Sequence, residues 1–188
     1  MAGSTAYELV FIDADDTLFD FGDCESRALA AAFAGAGLRL DAAAAAAYRE
    51  INAAAWKRVE LRLATQAHIK YERFETLVGR LGAAVDPRAL ADAYIDSLSN
   101  QRSLIEGAVP IVAYLAQRYR LVMITNGIAG VQRGRIECSP LRPHFADIVI
   151  SEEVGVSKPD PRIFAIAAAR GRVPDKAKTI MIGDSLSS

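Results

Sequence analysis

Leu9-Val10-Phe11-Ile12-Asp13-Ala14-Asp15-Asp16-Thr17-Leu18 joins a short apolar run to a knot of acids. The run, residues 7–12, lacks polar alternation, which suits a parallel strand buried on both faces. Asp13, Asp15 and Asp16 then crowd one turn, where their repulsion is costly unless a cation offsets it. Hard oxygen ligands favour magnesium for that cation. Near the other end, Ile180-Met181-Ile182-Gly183-Asp184 repeats the pattern of an apolar strand ending in an acid. Asp184 is placed to complete the ligand set, and Gly183 allows close backbone approach.

Working outward from the first acid knot, residues 21–103 show only helical patterns. That is on the order of eighty residues, far beyond an ordinary strand-to-strand connection. They are expected to form a separate helical insertion, leaving 1–20 and 104–188 as the core. Asp41, Thr65 and Asp86 read as N-caps, the last followed by Pro87 at the first helical position, and Gly35 and Gly37 read as the end of the first helix. The second half alternates: helix 109–118, strand 121–125, a helix from 130, strand 148–150, helix 161–170 and strand 179–182. That order predicts an α/β fold built on a doubly wound parallel sheet. Open sheets of this kind bind ligands beyond the carboxyl ends of their strands. Asp13, Thr125 and Asp184, with Lys158 in the loop after the third strand, therefore matter most.

The chain has 188 residues and a formal charge of -1, which fits one domain with a modest insertion and gives no reason to expect nucleic acid or an acidic membrane as partner. Cys24 and Cys138 lack Cys-x-x-Cys spacing and read as small buried hydrophobes. No apolar leader precedes the first strand and no run is long enough for a bilayer, so a soluble, cytoplasmic protein is expected. His68 and His144 have no partner at ligand spacing. Trp56 and Tyr71 read as packing residues, Phe19 and Phe21 as filling between insertion and core, and Asp16 as a cap for the helix that follows.

A carboxylate can act as a nucleophile through an aspartyl-phosphate, and a second acid two residues on can carry the leaving group's proton. Asp13 and Asp15 have that spacing. Thr125, the backbone at Asn126 and the Lys158 ammonium suit the charge developing on phosphoryl oxygens.

Asp13-x-Asp15-x-Thr17, the strand ending in Thr125-Asn126-Gly127, Lys158-Pro159 and Gly183-Asp184, in that order, resemble the four motifs of the haloacid dehalogenase superfamily. The resemblance implies a Rossmann-like sheet with a helical cap inserted after the first motif. It implies Asp13 as nucleophile, Asp15 as general acid and base, Thr125 and Lys158 as phosphate binders, and magnesium held by Asp13, Asp184 and the backbone carbonyl of Asp15. Within the superfamily, Phe11 to Phe19, Ile124 to Gly127 and Val149 to Pro159 look most like the pyrimidine 5'-nucleotidases, which implies a nucleoside monophosphate as the small phosphorylated substrate and a cap that selects it. A sugar-phosphate phosphatase or phosphomutase would use the same core and stays open. A haloacid dehalogenase would not need Asp15. The last residues, Ser185-Leu186-Ser187-Ser188, fall in a loop where a further acid commonly follows. The ending reads as a truncation that omits a last strand and helix, leaves strand 179–182 an unprotected edge, and threatens stability and activity to the point of an inert fragment or a strand-exchanged oligomer.

Overall fold

The computed structural model describes residues 6–185. Four parallel strands, β1 (Leu9–Ile12), β2 (Arg120–Thr125), β3 (Asp147–Ile150) and β4 (Thr179–Ile182), form one sheet in the order β3-β2-β1-β4. All four expected strands are present. The first is shorter than residues 7–12, because Tyr7 is exposed and the ladder begins in register at Leu9 with Arg120 and Thr179.

Alternation in the strands divides the core into two layers, as side chains of period two must. Val10, Ile12, Leu121, Met123, Ile148 and Ile150 face one layer with Ala108 and Val112 of α5 (Ala108–Ala116) and Ile136 of α6 (Ala129–Glu137). Leu9, Phe11, Val122, Ile124 and Val149 face the other, with Ile163, Ala167 and Ala168 of α8 (Pro161–Arg170). Helices thus cover both faces, the doubly wound arrangement. A one-turn helix, α7 (Ser151–Val154), replaces the loop expected directly after β3. Cys138, read from sequence as buried, is exposed just past the end of α6, whereas Cys24 is buried.

Contact density divides the chain into two compact units, 1–22 with 102–188, and 23–101. The second is helical: α1 (Phe21–Gly35), whose first turn crosses the boundary, α2 (Ala42–Glu60), α3 (Gln66–Leu81) and α4 (Pro87–Ser99). The caps are those the sequence indicates. Asp41 accepts from the Ala44 amide, Thr65 from His68 and Asp86 from Arg88, with Pro87 opening α4. Helix α1 stops at Gly35, and Gly37 follows in the left-handed region at φ 68°. Tyr48, Phe74 and Tyr94 form a tilted three-ring cluster with centroids 5.2 to 5.7 Å apart, while Trp56 packs at the margin of a smaller group around Ala55, Val59 and Ile69.

Among the described residues no helix is long and apolar enough to cross a membrane. Among the described residues β4 pairs with β1 alone and so forms a sheet edge, and Ile180 and Ile182 are exposed there. The residues 186–188, on which the reading of the ending turns, lie outside the described residues.

Candidate active site

Parallel pairing brings the two acid-bearing ends of the sequence to one end of the sheet. Ile12 lies in register with Ile182, and the Asp13 amide donates to the Ile182 carbonyl at 2.9 Å. Asp13 and Asp184 therefore leave adjacent strands at the same end. The Asp184 charge is felt at Asp16, whose carboxyl is pushed above its ordinary range by burial and by the charges of Asp15, Asp184 and Asp20, against the pull of the Phe21 amide. Asp16 sits in the left-handed region at φ 56° and accepts from the Phe21 amide at 3.2 Å, so it caps α1 as expected.

Asp13 is buried, and its Oδ1 accepts from the Ala14 amide at 2.7 Å and pairs with Lys158 Nζ at 2.6 Å. Burial pushes the Asp13 carboxyl above the usual carboxylate range, with the Lys158 ammonium and the Ala14 amide pulling the other way. The Ala14 amide and the Lys158 ammonium thus both lie on Oδ1. Lys158, taken singly a candidate surface lysine, is only 5% exposed. Asn126 fixes its backbone: the Asn126 Nδ2 donates to the Lys158 carbonyl at 2.9 Å and the Lys158 amide donates to Asn126 Oδ1 at 2.8 Å. The Asn126 side chain thus holds the lysine loop to the end of β2, alongside the backbone donor anticipated from sequence.

Thr125, at the end of β2, is buried, and its Oγ1 accepts from Gln132 Nε2 at 2.9 Å. The same nitrogen donates to Asp15 Oδ2 at 2.6 Å, and Arg135 Nη1 donates to Asp15 Oδ1 at 2.5 Å. Gln132 and Arg135 project from α6 and are fully buried. Sequence reasoning missed both. The available signal was the helix itself: Ala129–Glu137 has few large apolar residues, so polar side chains three apart, on one helix face, had to occupy its inward side. Glu152 was missed as well; its Oε2 accepts from the Ala129 amide at 2.7 Å and so caps α6, which has no side-chain cap of its own.

Every candidate catalytic, phosphate-binding or metal-binding residue thus lies just at or after the carboxyl ends of β1, β2 and β4 or in the loop after α7. By contrast, the groove of about 440 Å³ between α8 and β4 is lined by Phe11, Phe164, Ala168 and Met181 among others, and offers no converging acids. Among the described residues, no three His, Cys, Asp or Glu side chains gather as a metal site. Asp13 and Asp184 offer carboxylate oxygens at the strand ends, the hard donor type that magnesium accepts. His68 lies instead beside Glu72 at 3.5 Å, and Tyr71 donates to Asp92 at 3.1 Å.

A parallel α/β sheet with acids at the ends of its first and fourth strands, and a buried lysine paired to the first acid, is the framework of a hydrolase. The haloacid dehalogenase-like hydrolase family matches residues 7–187, and the chain belongs to that family. It is 31% identical to pyrimidine 5'-nucleotidase YjjG of Escherichia coli strain K12, a match spanning 97% of this chain and 79% of that protein. It is 33% identical to pyrimidine 5'-nucleotidase PynA of Streptococcus pneumoniae, over 97% of this chain and 77% of that one. Among solved structures, the HAD-hydrolase YfnB of Bacillus subtilis bound to magnesium superposes with a TM-score of 0.87 at 32% identity, covering 98% of this chain and 81% of the other.

Proposed function

We propose that this hydrolase cleaves phosphomonoesters through a phosphate ester on Asp13, with pyrimidine nucleoside 5'-monophosphates as substrates. The observation that carries the reading is the buried pair of Asp13 and Lys158, 2.6 Å apart at the end of the central strand β1. Lys158 holds one carboxylate oxygen of Asp13 and orients the other toward phosphorus. An ammonium beside the transferring group also offsets the charge on its oxygens. Thr125 and the main chain at Asn126 supply neutral donors to those oxygens.

Oδ2 of Asp13 forms the new bond to phosphorus as the bond to the leaving oxygen breaks, and Asp15 supplies that oxygen's proton. Asp15, now ionised, takes a proton from water, the water oxygen attacks phosphorus, and the Asp13 ester breaks to release inorganic phosphate. Magnesium fits the oxygen donors of Asp13, Asp184 and the Asp15 carbonyl, and when bound it supplies charge neutralisation at the phosphoryl group. Burial first, and then the charges of Asp15, Asp184 and Asp20, raise the Asp16 carboxyl, and repulsion among these acids is of the kind such an ion relieves. The nucleotide preference rests on the likeness to the two pyrimidine 5'-nucleotidases, and a cytoplasmic location goes with that substrate.

Phosphate release from uridine, thymidine and sugar monophosphates tests the reading. Turnover should require magnesium, favour the pyrimidine nucleotides, and fall at least about a thousandfold in Asp13→Asn, since the nucleophile itself is removed. Unchanged turnover in that variant, at equal folded fraction, would remove Asp13 from the chemistry.

A further inference from the structure

Asp15 does not stand alone in the site. Each of its carboxylate oxygens is held by a separate buried donor, Gln132 Nε2 at 2.6 Å and Arg135 Nη1 at 2.5 Å. The two donors are also braced against each other, with Arg135 Nη1 at 3.4 Å from Gln132 Oε1. The Arg135 guanidinium is roofed by aromatic rings, 4.6 Å from the Phe19 centroid and 5.6 Å from Phe21, so its side chain is 0% exposed while that of Asp15 is 27% exposed. The rigid parts of this assembly are therefore the donors, and the reactive carboxylate is its outermost member.

From this geometry we infer that Gln132 and Arg135 are positioning residues that set the orientation of Asp15 toward the leaving-group oxygen, and that Gln132 keeps this orientation in register with the phosphate-binding hydroxyl of Thr125. The inference rests on the acid–base role proposed for Asp15. An aspartate on a turn has two free side-chain torsions, and a proton donor misplaced by even an ångström loses much of its effect. Two donors on two oxygens fix both torsions. One amide nitrogen bonding Asp15 and also Thr125, at 2.9 Å, ties the place where the proton is delivered to the place where the phosphoryl group sits. α6 supports this through the Glu152 cap at its first amide, and Gly127 through its missing side chain, because a Cβ there would lie 2.4 Å from Gln132 Nε2.

Leaving-group dependence gives the test, using the full chain with magnesium. An alkyl phosphate needs a proton on its departing oxygen, whereas p-nitrophenyl phosphate departs as a stabilised phenolate and needs none. Gln132→Met keeps the length and loses the donors. It should lower kcat/KM on uridine monophosphate about tenfold or more while changing kcat/KM on p-nitrophenyl phosphate less than about threefold, because kcat/KM reports the departure of the leaving group and not the later hydrolysis in which Asp15 serves as base. Arg135→Met should do the same wherever it folds, and Gln132→Met carries the test without it. In an Asp15→Asn background, Gln132→Met should have no further effect on the ratio of the two substrates, as expected of residues acting through one group. An equal fall in kcat/KM on both substrates would assign Gln132 to Thr125 or to packing and overturn the inference, as would an effect on the ratio that persists without Asp15. The Asp15→Asn control separates the two readings: if that variant alone loses kcat/KM on both substrates equally, the acid role toward the leaving group fails, and the positioning of it fails with it.

Discussion

Two buried arginines, one in each unit of the chain, are set against pairs of aromatic rings and yet do different things. Arg135 lies over Phe19 and Phe21 and ends on the carboxylate of Asp15. Arg73, on α3, lies 5.4 Å from the Phe74 centroid and 5.1 Å from that of Tyr94, and donates to Asn52 Oδ1 at 2.6 Å. Asn52 in turn donates to Glu25 at 2.8 Å, which also receives the Tyr48 hydroxyl at 3.4 Å. The helical cluster draws on all of α1 to α4 and turns inward: cation, amide, phenol and rings answer one another. Burial, followed by the neighbouring Tyr94, pushes the Tyr48 phenol well above its ordinary range, so it remains a neutral donor. The cluster at the strand ends turns outward, finishing on carboxylates. A buried cation alone therefore says little about function; what its partners face says more.

The comparison breaks most visibly at Arg73. Arg73→Ala removes a side chain that fills space between rings and strands the Asn52 and Glu25 groups behind it, at a cost of about 3 kcal/mol. For a chain of this length that should lower Tm by about 6–12 °C, with kcat unchanged at temperatures well below the transition. Thermal melts and steady-state kinetics on one preparation check both halves. A small shift in Tm together with a large fall in kcat would mean that the helical cluster also serves the chemistry.

Gly127→Ala should do the reverse. The added Cβ would lie 2.4 to 2.8 Å from Nε2, Cγ and Cδ of Gln132, the far end of a flexible side chain that can swing away at little cost to the fold. Swinging away parts it from Asp15 and Thr125, so turnover of an alkyl phosphate should fall about tenfold, equivalent to about 1.4 kcal/mol in the barrier, with Tm nearly constant. In combination with Gln132→Ala the glycine substitution should cost nothing further in rate. Additive losses would show that Gly127 serves the turn rather than the glutamine.

What could be read in the sequence follows the same division. The strands, the caps at Asp41, Thr65 and Asp86, and the acids at the ends of β1 and β4 are local signals: apolar runs, side chains that bond amides two or three residues on, charges on tight turns. Lys158 was legible because it follows an apolar strand in a motif of fixed order. Gln132 and Arg135 were not, since their partner Asp15 is more than a hundred residues away in the chain and only the parallel pairing of β1 with β2 brings α6 beside it. Arg73 escaped for a related reason: an arginine in an amphipathic helix reads as solvated, and its burial depends on rings supplied in part by another helix. The burial of Cys138 was misjudged because its residue type outweighed its place just past a helix end.

The smallest effect should come from a pair on the surface of the helical unit. Arg58 Nη1 lies 2.7 Å from both carboxylate oxygens of Glu72, and that hydrogen bond holds the Glu72 carboxyl below its usual range. The side chains are 41% and 31% exposed, so water and salt screen the pair, and Glu72→Gln should cost less than about 0.5 kcal/mol, or about 1–2 °C in Tm. The sign is fixed by the direction of the shift. A carboxyl lowered in the folded state stabilises it above the unfolded pKa, and loses that contribution as pH falls through the folded one. The difference between parent and variant should thus be present at neutral pH, shrink through the acid range, and shrink again in concentrated salt. Asp13 should behave in the opposite sense in magnesium-free protein. Its raised carboxyl makes the ionised form the costly one, so its share of the stability improves as pH falls through the folded pKa, and melts of parent and Asp13→Asn across the acid range would show the two carboxylates pulling in contrary directions.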